Sequence, residues 1–343
     1  MRHISIISIL SLILALTACE KSEFLAEGAY FHLSNDGAKL PIWVKGNTNS
    51  DVILITVHGG PGDGGMGQAI AKGFKALEED YLLVYWDQRF AALAQGHPDK
   101  HTINVDQYIE DTEKVVQLIQ SKYPDKKLFM MGHSWGGQLS AGYMGRDNHQ
   151  SNFKGWIDMC GSIYGELESQ LMKDWILERV PAKLADPEAD HEYWQYIVDW
   201  YEENPAPGNY TESIPYQYVT ALHGDAYFWE TYWEDNPVPY GELIFRSMFS
   251  MSYYVYSHGG DQSWVDEANF TPELGNITIP ALLLWGANDG IVPATVGDYV
   301  YEHLATDPSQ KHLVKIPECA HGPQNDQPER FYQEISEFIE RYK

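Results

Sequence analysis

Basic side chains are scarce in this chain: 23 Lys and Arg stand against 49 Asp and Glu, a formal charge of −26 at pH 7. A surface so poor in cations cannot neutralise a run of phosphates, which argues against nucleic acid as the partner. Cysteine is scarcer still. Three residues, Cys19, Cys160 and Cys319, cannot build a disulfide framework. Long apolar runs are missing too. The longest, Ile4 to Ala18, is about 15 residues, whereas a membrane-spanning helix needs roughly 20. What is plentiful is aromatic and aliphatic surface. The 343 residues are 44% hydrophobic and include 11 Trp, 23 Tyr and 12 Phe, enough to bury a large core and to exclude disorder of the whole chain.

The apolar run follows Met1-Arg2-His3 and reads as an export signal over residues 1–18. Its end, Leu16-Thr17-Ala18-Cys19, resembles the bacterial lipobox. That resemblance implies cleavage before Cys19, a lipid on that cysteine and, with Glu20 next, the outer membrane facing the periplasm. An ordinary secretory signal with a chance cysteine is the alternative. Cys160 and Cys319 would then share an oxidising compartment, as a disulfide or as two thiols.

Beyond the signal, extended and helical patterns alternate. Gly28–Leu33 and Lys39–Val44 flank Asn35-Asp36-Gly37 and read as a hairpin. Val52–Val57, Tyr81–Trp86, Leu128–Met131, Trp156–Met159, Ala281–Trp285 and Leu313–Ile316 read as strands, several of them apolar on both faces. Val105, Tyr108, Ile109, Thr112, Val115, Val116 and Ile119 share one face of a helix, and Gln327–Tyr342 is a second amphipathic helix. The alternation predicts a mostly parallel sheet with helices on both faces. Residues 162–275 break it with prolines, dense Trp and Tyr and helical fragments. They are expected to form an inserted, mainly helical cap between a first core segment, 19–161, and a second, 276–343.

Four motifs carry the chemistry. Gly132-His133-Ser134-Trp135-Gly136 is a G-x-S-x-G sequence between a predicted strand and a predicted helix, the setting in which a serine nucleophile stands on a sharp turn. His58-Gly59-Gly60-Pro61-Gly62 follows the strand Val52–Val57, and its glycines let backbone amides approach a developing oxyanion. The expected donors are the amides of Gly60 and Trp135. Asp289 lies in Trp285-Gly286-Ala287-Asn288-Asp289 at a strand end; Asp298, its competitor, falls inside a predicted helix. His321 follows the last strand, completing the order Ser, Asp, His. His58 and His133 sit inside other motifs and read as structural neighbours. No metal or cofactor is implied: neither H-E-x-x-H nor a phosphate loop occurs.

With these residues the chain resembles an α/β-hydrolase, and within that group the proline iminopeptidases of peptidase family S33. The resemblance rests on His58–Gly62, on Asp87-Gln88-Arg89 after Trp86, and on Gly132–Gly137; it covers about 24–160 and 276–343. It implies that Asp87, Gln88 and Arg89, with His58, Gly59 and Pro61, support the oxyanion loop. It also implies that cap residues read the substrate's free amine. Glu230, Trp233 and Glu234 come close to one family pattern, one residue out of step, and the other family glutamate motif is absent. Phe90-Ala91-Ala92 replaces the glycine expected after Asp87-Gln88-Arg89. Three readings stay open: an S33-type aminopeptidase acting on short peptides, an esterase, lactonase or amidase with the same triad, and a non-catalytic periplasmic binding lipoprotein. The negative charge concentrates between Tyr164 and Phe270, with 20 acidic and 4 basic residues, and 20 of the 46 aromatics lie between His191 and Val265. Such a lid either attracts a cationic substrate or is a solvated acidic surface over the cap's own core. Oligomeric state is not legible.

Overall fold

Runs such as Val52-Ile-Leu-Ile-Thr-Val57 and Ala281-Leu-Leu-Leu-Trp285 have no polar face to offer water, so they belong in the middle of a sheet covered on both sides. The computed structural model, which describes residues 28–205, 213–227 and 268–343, places them there. The strands are β1 (Ala29–Asn35), β2 (Ala38–Gly46), β3 (Val52–Val57), β4 (Leu82–Trp86), β5 (Gln95–Gly96), β6 (Lys127–His133), β7 (Phe153–Met159), β8 (Ala281–Gly286) and β9 (Lys311–Ile316). They form one sheet in the order β1-β2-β4-β3-β6-β7-β8-β9, with the short β5 on β2. The β1–β2 and β2–β4 pairings are antiparallel, and all pairings from β4 onward are parallel. Residues of β3, β4 and β8 are all buried.

Helices fill the connections: α1 (Gly65–Ala69), α2 (Lys72–Asp80), α3 (Val105–Lys122), α4 (Trp135–Met144), α5 (Gly165–Ala185), α6 (His191–Glu203), α7 (Ser213–Ala221), α8 (Thr271–Leu274), α9 (Ala294–His303), α10 (Pro323–Asp326) and α11 (Pro328–Tyr342). Helix α3 starts where Asn104 Oδ1 accepts the Gln107 amide at 2.9 Å, a side-chain cap. It buries the expected face and, besides, Asp111, a charged residue that apolar periodicity does not flag.

Helices α5, α6 and α7 belong to the interrupting segment and carry a core of their own. Met172, Trp175, Ile176, Val180, Trp194, Ile197, Tyr201, Tyr218, Val219 and Leu222 pack together, apart from the main core around the sheet. The aromatics described here thus serve packing first. No helix among the described residues is long and apolar enough to cross a membrane. Cys19 and the signal, together with Glu230, Trp233 and Glu234, lie outside the described residues.

Candidate active site

All the candidate residues of the core lie at the carboxyl ends of parallel strands, where an open α/β sheet gathers its ligands. Ser134 follows β6 and heads α4. Its backbone has φ 56° and ψ −125°, a left-handed conformation unfavourable for a residue with a side chain. Close packing forces that turn. A Cβ at Gly132 would stand 2.2 Å from Gly136 O, and one at Gly136 would stand 2.0 Å from Val57 O, so α4 can press onto β3 and β6 only with glycine at both places. The turn is pinned from β7 by Ser134 N–H donating to Met159 O (3.2 Å) and Ser162 N–H donating to Ser134 O (3.0 Å).

Asp289 follows β8 and is fully buried. One oxygen, Oδ1, accepts the amides of Ile291 (2.9 Å) and Val292 (3.0 Å). The other, Oδ2, accepts from His321 Nδ1 at 2.9 Å, which fixes the tautomer that leaves Nε2 as the acceptor. Burial pushes the His321 pKa down, but the Asp289 carboxylate beside it, joined by Asp63 and Asp225, outweighs this and raises it above the ordinary histidine value. Asp298, the competing acid, sits on α9 and pairs with Lys315 at 2.7 Å on the surface, away from this pair.

His133, beside the serine, donates Nε2–H to His321 O at 2.9 Å, since a carbonyl can only accept. Burial, then the neighbouring His321 charge, lowers its pKa to about 3, so it is a neutral prop for the histidine loop. His58 is equally structural. Its Nε2 accepts the Gln88 amide (3.0 Å) and its Nδ1 donates to Gly59 O (2.8 Å).

The loop after β3 bends at Gly60, where φ is +117° and the Gly60–Pro61 bond is cis. A Cβ at Gly59 would lie 3.2 Å from Ser134 Cβ and 3.5 Å from Asp63 Oδ2, so this loop passes directly over the serine. Gln88 ties the loop to the elbow: its Nε2 donates to His58 O (2.9 Å), and its Oε1 accepts Trp135 Nε1–H (2.9 Å). Asp87 accepts the amides of Gly65 (2.8 Å) and Leu93 (2.9 Å). Arg89 turns away from the loop and makes a two-point ion pair with Asp111 of α3, at 2.6 and 2.8 Å, fully buried. Phe90 and Ala92 hold φ of 58° and 33°, which explains why glycine would be at ease in this stretch.

One residue with no sequence signal stands out. Glu168, in the first turns of α5, is fully buried. It accepts from the Ser162 hydroxyl and from the amides of Ile163 and Tyr164. Burial raises its pKa, against those hydrogen bonds. Beside it Asp158, on β7, is raised well above the carboxylate range by burial and then by the Glu168 charge. Cys160 and Cys319 are both buried and both free thiols.

The chain is similar to several known proteins. A family model described as serine aminopeptidase, S33, matches residues 48–203, a stretch that includes the Gly60 loop and Ser134 and ends before Asp289 and His321. A probable aminopeptidase of Bacillus subtilis, YbaC, is 22% identical over 326 residues, covering 89% of this chain and 94% of the relative. A proline iminopeptidase of Thermoplasma volcanium is 25% identical over 334 residues, covering 95% and 98%. The crystal structure of a proline iminopeptidase from Mycobacterium smegmatis superimposes with a TM-score of 0.64 at 15% identity, over 92% of this chain and 98% of that one. At such identity a structural likeness speaks for the fold. The sheet order, the strained serine turn and these likenesses together give the chain the α/β-hydrolase fold, and the match over residues 48–203 supports hydrolase chemistry on it.

Proposed function

We propose that the chain is a serine hydrolase that releases N-terminal residues from short peptides. The observation that carries the catalytic part is the half-buried Asp289–His321 hydrogen bond at the same sheet end as the left-handed Ser134 turn. In this reading Ser134 Oγ attacks the carbonyl carbon while His321 Nε2 takes its proton. The imidazolium is held by Asp289 and then protonates the leaving amine; water repeats the sequence on the acyl-enzyme. The oxyanion is met by the amides of Gly60 and Trp135, each worth about 3 kcal/mol to the transition state. Trp135 opens α4, so the positive end of that helix adds to the field.

The peptidase part rests on the names of the two sequence relatives and on the charge around the base. Asp63, exposed in the loop over Ser134, and Asp225, whose carbonyl accepts the His321 amide at 3.3 Å, bring negative charge to the place where a substrate's free amine would stand. The test pairs unblocked aminoacyl amides with their N-acetylated forms. Ser134→Ala should lower turnover of both by at least about a thousandfold and abolish labelling by a serine-directed phosphonate. The native protein should prefer the unblocked form. Equal rates on blocked and free substrates would point to an esterase or amidase instead, and an active Ser134→Ala variant would overturn the nucleophile.

A further inference from the structure

Cys160 follows β7 at the same end of the sheet as Ser134, and its thiol has no part in the acyl transfer. Its backbone holds a φ of 46°, a strained value for a residue other than glycine. Its amide is fixed by donation to Leu284 O at 2.9 Å. The sulfur is thereby set against the acid and the base. Cys160 Sγ, a carboxylate oxygen of Asp289 and a ring nitrogen of His321 all lie within 4.8 Å of one another, and the Asp289 Oδ2 to His321 Nδ1 separation is 2.9 Å. Two donors each about 2.0–2.3 Å from one tetrahedral zinc ion stand about 3.3–3.8 Å apart. Inward movement of the sulfur by on the order of 1 Å, with a slight opening of the Asp289–His321 pair, would therefore seat an ion among the three.

We propose that Cys160, Asp289 and His321 form an inhibitory site for a borderline-soft divalent cation such as Zn2+ or Cd2+. The proposal rests on the triad reading above. A thiolate, an imidazole and a carboxylate are a donor set that suits these ions, and one coordination position is left for water. The protons balance simply. The Cys160 thiol gives its proton to solvent, and the sulfur lone pair binds the ion. The proton on His321 Nδ1 is lost from that nitrogen while Nε2 gains one, and the freed Nδ1 lone pair binds the ion. One proton is released per cation, and no oxidation occurs. His321 then carries hydrogen on Nε2 and has no lone pair with which to take the Ser134 proton. Asp289 is engaged by the ion as well. Entry is past the imidazole: 15% of the His321 side chain is exposed, whereas Cys160 and Asp289 are fully buried.

The test titrates the full chain with ZnCl2 and CdCl2, following p-nitrophenyl ester hydrolysis, ultraviolet absorption and calorimetry in two buffers of different protonation enthalpy. Expected are inhibition reversed by EDTA, a cadmium–thiolate charge-transfer band that saturates at one equivalent, and about one proton released per ion. Ser134→Ala, inactive, should give the same band, so metal binding is judged separately from the nucleophile assignment. Cys160→Ser and Cys160→Ala should each lose the band and need at least about tenfold more metal for half-inhibition, while Cys319→Ser, outside the group, should keep both. Native-like inhibition in both Cys160 variants would overturn the site, as would a native protein that gives no thiolate band.

Discussion

At the scale of single residues, Asp289 acts on His321 in two ways: it selects the tautomer and it sets the pKa. Its Oδ2 holds the Nδ1 proton at 2.9 Å, and its charge and hydrogen bond, together with the charges of Asp63 and Asp225, more than offset the lowering by burial. Asparagine in its place would offer an amide N–H to Nδ1, favour the Nε2–H tautomer and remove the base. Asp289→Asn should therefore lower kcat by a factor on the order of 10³–10⁴. The sign of the pH effect follows as well. The base works only when neutral, so the acid limb of kcat/KM in the native enzyme should have its midpoint above the ordinary histidine pKa of about 6.5. In the variant, burial acts with less opposition and the limb should move to lower pH. A variant limb unmoved from the native position would show that Asp289 does not set the base. The strained Ser134 turn and the Asp289–His321 pair were legible because each residue sits in a motif after a strand. Glu168 was not, because one glutamate in an amphipathic segment carries no motif, and its importance arises only when the chain folds its own backbone amides onto it. Asp111 was hidden for the same reason: only the fold brings Arg89 to it.

At the scale of elements, the join between sheet and interrupting segment depends on Glu168. Residues 162–164 leave β7 with amides that neither strand nor helix satisfies. Glu168 reaches back from α5 to cover two of them and the Ser162 hydroxyl, much as a capping box does. Ser162 N–H in turn donates to Ser134 O at 3.0 Å, so the clamp connects the start of α5 with the Ser134 turn. Alanine at 168 leaves two buried polar groups and a half-buried one unpaired and should cost about 3 kcal/mol or more in unfolding experiments. Glutamine can still accept both amides through its oxygen and donate to the hydroxyl, so Glu168→Gln should lose less than about 1 kcal/mol. Equal losses in the two variants would sink this account. The strands themselves were readable from apolar runs, within a few residues at each end. Their ends were not, because the last residues, such as Lys127 and His133 of β6, are held by neighbouring strands and not by their own propensity.

At the scale of the whole molecule, the formal charge of −26 and its concentration between residues 164 and 270 admit two readings, and the structure removes one support from the first. Trp194, Tyr201 and Tyr218 are buried in the core of α5, α6 and α7, and Lys183 and Lys173 of the chain itself lie over the Trp194 and Tyr201 rings, so these rings are not an aromatic surface open to a substrate cation. If the segment draws in an amine, it does so through its field. A field of exposed carboxylates decays with the Debye length, about 10 Å at 0.1 M salt and about 3 Å at 1 M. Raising NaCl across that range should therefore lower kcat/KM for an unblocked aminoacyl substrate several-fold. The kcat should hold steady, because salt then acts on encounter and not on the chemistry. A neutral ester gives the internal control, since it experiences the same salt but no attraction. Asp63→Asn should reduce the salt slope for the amine substrate and leave that of the ester alone, because Asp63 is the exposed carboxylate in the loop over Ser134. Parallel salt slopes for amine and ester would mean that the acidic excess is a solvated surface with no part in substrate choice.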